Sequence, residues 1–172
     1  MDTIENKVSA SGLVTFDLEE HYPEGDRVVI DIKDHLYEGL ILREKEFRAF
    51  AKEEAWEKYS DKYVAITCTA DAIVPTWAFM LLTTYLQPYA IKVVFGTAER
   101  LEEVLYNELI AKIDVSQYKG ARVVIKGCSK INVPPAAYVH ITERLRPVVK
   151  SIMYGEPCST VPLYKAKKPK TD

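Results

Sequence analysis

Cysteine is scarce in this chain, with three among 172 residues. An odd count that small excludes a disulfide framework as the main source of stability. Glycine is equally thin, at seven residues, and with nine prolines it leaves no room for collagen-like or low-complexity readings. The longest apolar run, near Val74 to Leu82, falls well short of a membrane span, so no membrane partner is expected. The opening MDTIENK is acidic and lacks an apolar core, so it does not read as a signal peptide, and the cytoplasm is the expected compartment. There is no C-x-x-C, no phosphate-binding P-loop and no G-x-G-x-x-G, which removes the usual support for thioredoxin-like, nucleotide triphosphatase and dinucleotide-binding activities. Nor is there a strong excess of positive charge. The net charge is −2, and the final eight residues carry four Lys and one Asp, which leaves residues 1–164 at −5. An acidic body of that kind argues against nucleic acid as a partner.

What is present suits one soluble α/β domain over residues 1–164, followed by a basic tail over 165–172 expected to fray. Residues 1–62 read as an amino-terminal extension packed on a core of residues 63–164. Leu13–Leu18 and Arg27–Ile32 read as short strands, separated by the turn signal Tyr22-Pro23-Glu24-Gly25-Asp26. A charged helix over Glu44 to Tyr59 shows one apolar stripe, Phe47, Phe50, Ala51 and Trp56. Strands then alternate with helices: strand 63–67, helix 75–87, strand 91–96, helix 99–113, strand 121–125, a helix from Pro134 or Pro135 to about Arg146, and strand 150–154.

Such alternation predicts a three-layer, doubly wound, mainly parallel sheet. With right-handed crossovers the expected order is 91–96, 63–67, 121–125, 150–154, with the N-terminal strands extending or capping an edge. The helix over 75–87 is apolar nearly all round, which fits a buried helix first and a homodimer interface second.

Each cysteine follows a strand: Cys68, Cys128 and Cys158. Each is followed by a hydroxyl residue (Thr69, Ser129, Ser159) and then by Val-Pro after a short spacer. In open parallel sheets, ligands sit at the carboxyl ends of the strands. The expected strand order puts the three cysteine strands side by side, with loop mouths spanning roughly 10 Å. Three thiolates converging there suit an iron–sulfur cluster first and zinc second. The hydroxyls of Thr69, Ser129 and Ser159 would donate to a thiolate of the centre or satisfy a loop amide, and Asp71 is the nearest acidic candidate for a fourth ligand. Such a protein would assemble, carry or sense clusters, with iron–sulfur assembly proteins as partners.

Two other readings stand beside this one. Cys128 is a candidate catalytic nucleophile or persulfide carrier, since Gly127 permits a tight turn and Lys126 and Lys130 favour a thiolate. No His adjoins it, however: His140 lies up the following helix, and His21 and His35 lie in the N-terminal part. The third reading is a non-catalytic interaction module whose cysteines are structural, since a free Cys often behaves as a small hydrophobe.

The stretches GLVTFDLEEHYPEGDRVVIDIKD, GLILREKEFR, DKYVAITCTADAIVPTWAFM, ARVVIKGCSK and RLRPVVKSIMYGEPCSTVPLYK together resemble a bacterial family of domains of unknown function. The resemblance covers nearly the whole chain except the tail. It implies an association with sulfur-mobilisation (iron–sulfur assembly) gene neighbourhoods, which favours a cluster-related role. It identifies no catalytic residue.

Overall fold

The computed structural model describes residues 12–127 and 130–167. It is an α/β protein whose seven described strands form two sheets. One sheet takes β2 (Asp26–Asp31), β3 (Lys62–Thr67) and β4 (Lys92–Phe95) in the order β2-β3-β4, all parallel. The other takes β1 (Leu13–Phe16), β5 (Arg122–Ile125), β6 (Ser151–Glu156) and β7 (Ser159–Lys165) in the order β1-β5-β6-β7. Its first three strands are parallel, and β7 returns antiparallel on β6. Four helices complete the set: α1 (Glu44–Glu53), α2 (Thr76–Leu86), α3 (Ala98–Lys112) and α4 (Pro135–Leu145). Among the described residues no helix is long and apolar enough to cross a membrane.

The single sheet expected from the alternation is therefore replaced by two. The expected neighbours 91–96 with 63–67, and 121–125 with 150–154, are observed as β4 on β3 and β5 on β6. The expected junction of 63–67 with 121–125 is absent, because β2 occupies the outer side of β3 and β1 the outer side of β5. The N-terminal strands do sit at edges, one in each sheet. Two local expectations also change. The helix over 44–59 stops at Glu53, and Trp56–Tyr59 forms a separate 3-10 turn, with Trp56 Nε1 donating to Ala51 O at 2.7 Å. The first residue of the expected tail, Lys165, is the last of β7, which pairs it with Ser151 and pairs Tyr164 with Ile152.

Among the described residues, contacts divide the chain into two compact units, 24–104 and 12–23 with 105–167, the boundary falling within α3. In the first, Ile30, Val64 and Ile66 of the sheet bury against Phe47 and Ala51 of α1, against Trp56, and against Ala78, Leu82 and Leu86 of α2. In the second, Phe16, Val123, Ile125 and Ile152 bury against Tyr106 and Ile110 of α3 and against Ala137, Ile141 and Leu145 of α4. Each apolar stripe comes from helical spacing, at i, i+4 and i+8 in α2 and again in α4.

The two units are an internal repeat. Residues 61–97 align without a gap on residues 120–156, a constant displacement of 59, and nine of the 37 positions are identical. Helix α2 aligns with α4, and the buried set Ala78, Leu82, Leu86 aligns with Ala137, Ile141, Leu145. Both helices start after a proline, Pro75 or Pro134, and stop two residues short of another, Pro88 or Pro147. Thr83 Oγ1 returns to Phe79 O at 2.8 Å, as Thr142 Oγ1 does to Tyr138 O at 2.7 Å. Left-handed backbone recurs at Asp61 (φ 58°) and Gly120 (φ 72°), and positive φ at Gly96 (134°) and Gly155 (122°). The same displacement carries the 3-10 turn Trp56–Tyr59 onto Val115–Tyr118. The units differ at one edge: β4 ends its sheet, whereas its counterpart β6 is covered by β7.

Candidate functional site

Register extends the repeat to the first strands. Arg27 to Ile30 pair with Tyr63 to Ile66, as Leu13 to Phe16 pair with Arg122 to Ile125. The next residue is Asp in both, Asp31 and Asp17, and four residues later comes His35 or His21. Each Asp folds the chain back by accepting an amide two residues on, Lys33 N at 3.1 Å and Glu19 N at 2.9 Å. Each also reaches sideways to the loop of the adjacent strand. These two carboxylates were not singled out by sequence reasoning, although the spacing Asp-Leu-x-x-His against Asp-Ile-x-x-His is visible in the text.

In the 24–104 unit the sideways partner is Thr69, which follows Cys68. Asp31 Oδ1 accepts Thr69 N at 3.1 Å and Oδ2 accepts Thr69 Oγ1 at 2.5 Å. Burial alone would raise the Asp31 carboxyl. The Thr69 hydroxyl, the amides of Lys33 and Thr69 and the charge of Lys33 outweigh it and hold the group below the ordinary carboxylate value. The Thr69 hydroxyl is thus engaged with a carboxylate. Cys68 is half-buried, packs against the core cluster of its unit and points its thiol at Ala70 O, 3.9 Å away. Asp71 is exposed in the same loop.

In the second unit, Lys126 Nζ meets Asp17 Oδ2 at 2.5 Å, and this bond raises the Lys126 ammonium above its ordinary value. Glu19 fastens the loop beyond it, accepting the amides of Lys130 and Ile131 on one carboxylate oxygen, the latter at 3.1 Å. Tyr154 donates its hydroxyl to Gly127 O at 3.2 Å, and its ring lies where a Cβ on residue 127 would approach within 2.6 Å of it. Gly127 is thus closely approached by the far end of the Tyr154 ring, and it is not among the residues with positive φ. Cys128 and Ser129, two of the expected site residues, lie outside the described residues.

Cys158 is exposed in the tight turn joining β6 to β7, where Glu156 pairs with Ser159. Ser159, also exposed, opens β7. The third Cys-hydroxyl-Val-Pro text therefore has a different geometry from the other two. Val74-Pro75 and Val133-Pro134 lead into helices, whereas Val161-Pro162 lies inside a strand.

Ile125 is paired with Tyr154, so the segment leaving β5 at Lys126 and the turn at Pro157–Cys158 belong to the same end of one sheet. Cys68 follows a strand of the other sheet. Among the described residues no group of three or more His, Cys, Asp or Glu could hold a metal ion.

The histidines serve packing. His21 stacks on Phe16 at 5.1 Å between ring centres, and His35 on Phe50 at 3.6 Å, where burial pushes its imidazole below its ordinary value. His140 Nδ1 faces Asn107 Oδ1 at 3.2 Å. A nucleophile at Cys128 would therefore find the Lys126 charge compensated by Asp17 and His140 held on α4 by Asn107. A cleft of about 440 Å³ is lined by Gly127 and Lys130 together with Asn132, Tyr138 and Tyr154.

No curated protein and no solved structure matches the chain, and nothing found supports the association with sulfur mobilisation. A family model whose description names no activity matches residues 2–166, and the chain belongs to that family, described as a protein of unknown function, DUF2480.

Proposed function

We propose that this protein holds a soft metal centre through cysteine thiolates, an iron–sulfur cluster ahead of zinc, and acts as an accessory in cluster assembly, carriage or sensing. The observation that carries the reading is the register of β5 and β6. It brings the end of β5, three residues before Cys128 in the sequence, and the turn containing Cys158 to the same end of one sheet. Thiolates are the donors that soft metals and iron–sulfur clusters select. Two thiolates do not complete a tetrahedral ion. Cys68, Asp71 or a second copy of the chain would supply the rest, and the partners would be iron–sulfur assembly proteins.

The test is anaerobic purification, followed by iron, sulfide and zinc analysis and a visible spectrum. A bound centre that Cys128→Ser and Cys158→Ser each abolish supports the reading. Cys68→Ser then tells whether the third thiol takes part. Protein that remains colourless and metal-free after anaerobic reconstitution overturns it.

One observation favours a second reading, an interaction module with structural cysteines. Phe79, Met80 and Phe95 line an open, largely apolar cleft of about 670 Å³ with Val74, Thr76, Thr83 and Thr84. Met80 and Phe95 are 64% and 67% exposed, and Cys68 packs half-buried against the core of its unit.

A further inference from the structure

The opposite end of the four-stranded sheet carries a feature that neither reading uses. Arg122 on β5 is paired with Ser151 on β6, and Ser151 with Lys165 on β7. Residues directly opposed on neighbouring strands project from the same face, so the three form one row, roughly 10 Å from end to end. Lys150 adjoins it. Backbone bonds fix the platform: Lys150 N donates to Ala121 O at 2.8 Å and Ala166 N to Lys150 O at 2.9 Å.

These residues wall a cleft of about 400 Å³ together with Met153, Pro162 and Tyr164. Among the described residues no ion pair engages Arg122, Lys150 or Lys165. The Ser151 hydroxyl is buried and has no hydrogen-bond partner. A buried hydroxyl is normally satisfied, and an orphan of this kind asks for an acceptor. Three uncompensated cations around one cleft are out of keeping with a body that is acidic overall.

We propose that this cleft binds a small phosphate-bearing ligand. Three cations and one hydroxyl lining a single cleft offer more donors and more charge than a lone carboxylate uses. A tetrahedral dianion accepts from all of them, with Arg122 as the planar fork and the lysines as point charges. The volume is that of a small-molecule site. Met153, Pro162 and Tyr164 supply an apolar wall for whatever the phosphate is attached to.

The experiment is a titration of the whole chain with inorganic phosphate and with pyrophosphate, followed by amide chemical shifts at constant ionic strength. Expected are saturable shifts confined to residues 121–124, 150–153 and 161–166, with no response to equivalent chloride. Arg122→Ala and Lys165→Ala should each weaken binding about tenfold, the loss of one charge-assisted contact. Ser151→Ala should weaken it with an unchanged melting temperature. Lys33→Ala, at a cation on the other sheet's unit, should leave binding unaltered. The proposal is overturned if neither anion saturates, if Arg122→Ala and Lys165→Ala bind as wild type does, if chloride gives the same shifts, or if only a long polyanion such as an oligonucleotide binds.

Discussion

Asp31, at the end of β2, binds Thr69 twice, through its amide at 3.1 Å and its hydroxyl at 2.5 Å. One carboxylate thereby ties the strand end of β2 to the loop that begins at Cys68, and Asp17 repeats the arrangement with Lys126. The repeated unit is thus a parallel strand pair clasped at its carboxyl end by an aspartate, followed by a helix opened by Val-Pro.

Replacing Asp31 by Asn keeps the size and removes the charge. We expect a loss of about 1 kcal/mol by urea denaturation, the low end for hydrogen bonds to a charged group on a partly exposed site. The folded carboxyl lies below its unfolded value of 3.8, so its contribution is present above that pH and is lost as pH falls through the folded value. The stability difference between wild type and Asp31→Asn should therefore shrink on acidification below about pH 4. The freed loop should also expose Cys68, seen as faster thiol alkylation. An alkylation rate identical to wild type would show that Asp31 does not hold the loop.

Leu86 and Leu145 occupy equivalent places, and each is fully buried. Truncation to Ala should cost each unit about 2–5 kcal/mol, the range for a buried leucine whose cavity does not collapse. If the repeat is real in energetic terms, the two variants should lose similar amounts in calorimetry. A loss at only one would mean that one helix is held by other contacts.

Gly155 and Gly127 should respond differently to a methyl group. At Gly155 φ is 122° and an added Cβ would meet Ser159 O at 2.6 Å, a clash with a backbone atom. Gly155→Ala should cost about 1–3 kcal/mol through the strained conformation alone, and should disturb the turn that carries Cys158. At Gly127 the clash is with the far end of the Tyr154 ring, which can move. Gly127→Ala should cost less than Gly155→Ala in the same melt, with a changed tyrosine environment in near-ultraviolet circular dichroism.

Much of the local structure was legible because it obeys short-range rules. β-Branched runs such as Tyr63–Thr67 and Ala121–Ile125 are strands, and the prolines at 75, 134 and 135 open helices. Cys68 and Cys158 stand just after strands β3 and β6, and Cys128 lies outside the described residues. The split of one expected sheet into two was not legible, because apolar periodicity marks a strand without naming its neighbour. β1 and β2 lie between turn residues that suggest a simple pair, yet each inserts beside a strand far along the chain. Asp17 and Asp31 escaped notice for a related reason: a carboxylate's task depends on what faces it across 38 residues for Asp31–Thr69 and 109 for Asp17–Lys126. The 59-residue repeat was in the text, where the twice-occurring Val-Pro at that spacing was its clearest signal.

By itself, then, the order of residues determined which segments are strands and helices, where the cysteines stand along them, and that the chain duplicates one pattern. Those properties depend on side-chain volume and backbone preference within a few neighbours. Only the tertiary structure decided that β1 joins β5 and β2 joins β3, that Cys68 belongs to a different sheet from Cys158, and that Arg122, Ser151 and Lys165 share a row. Strand pairing is settled by which buried faces fit together over the whole molecule, and that free energy has no counterpart in any local stretch of sequence.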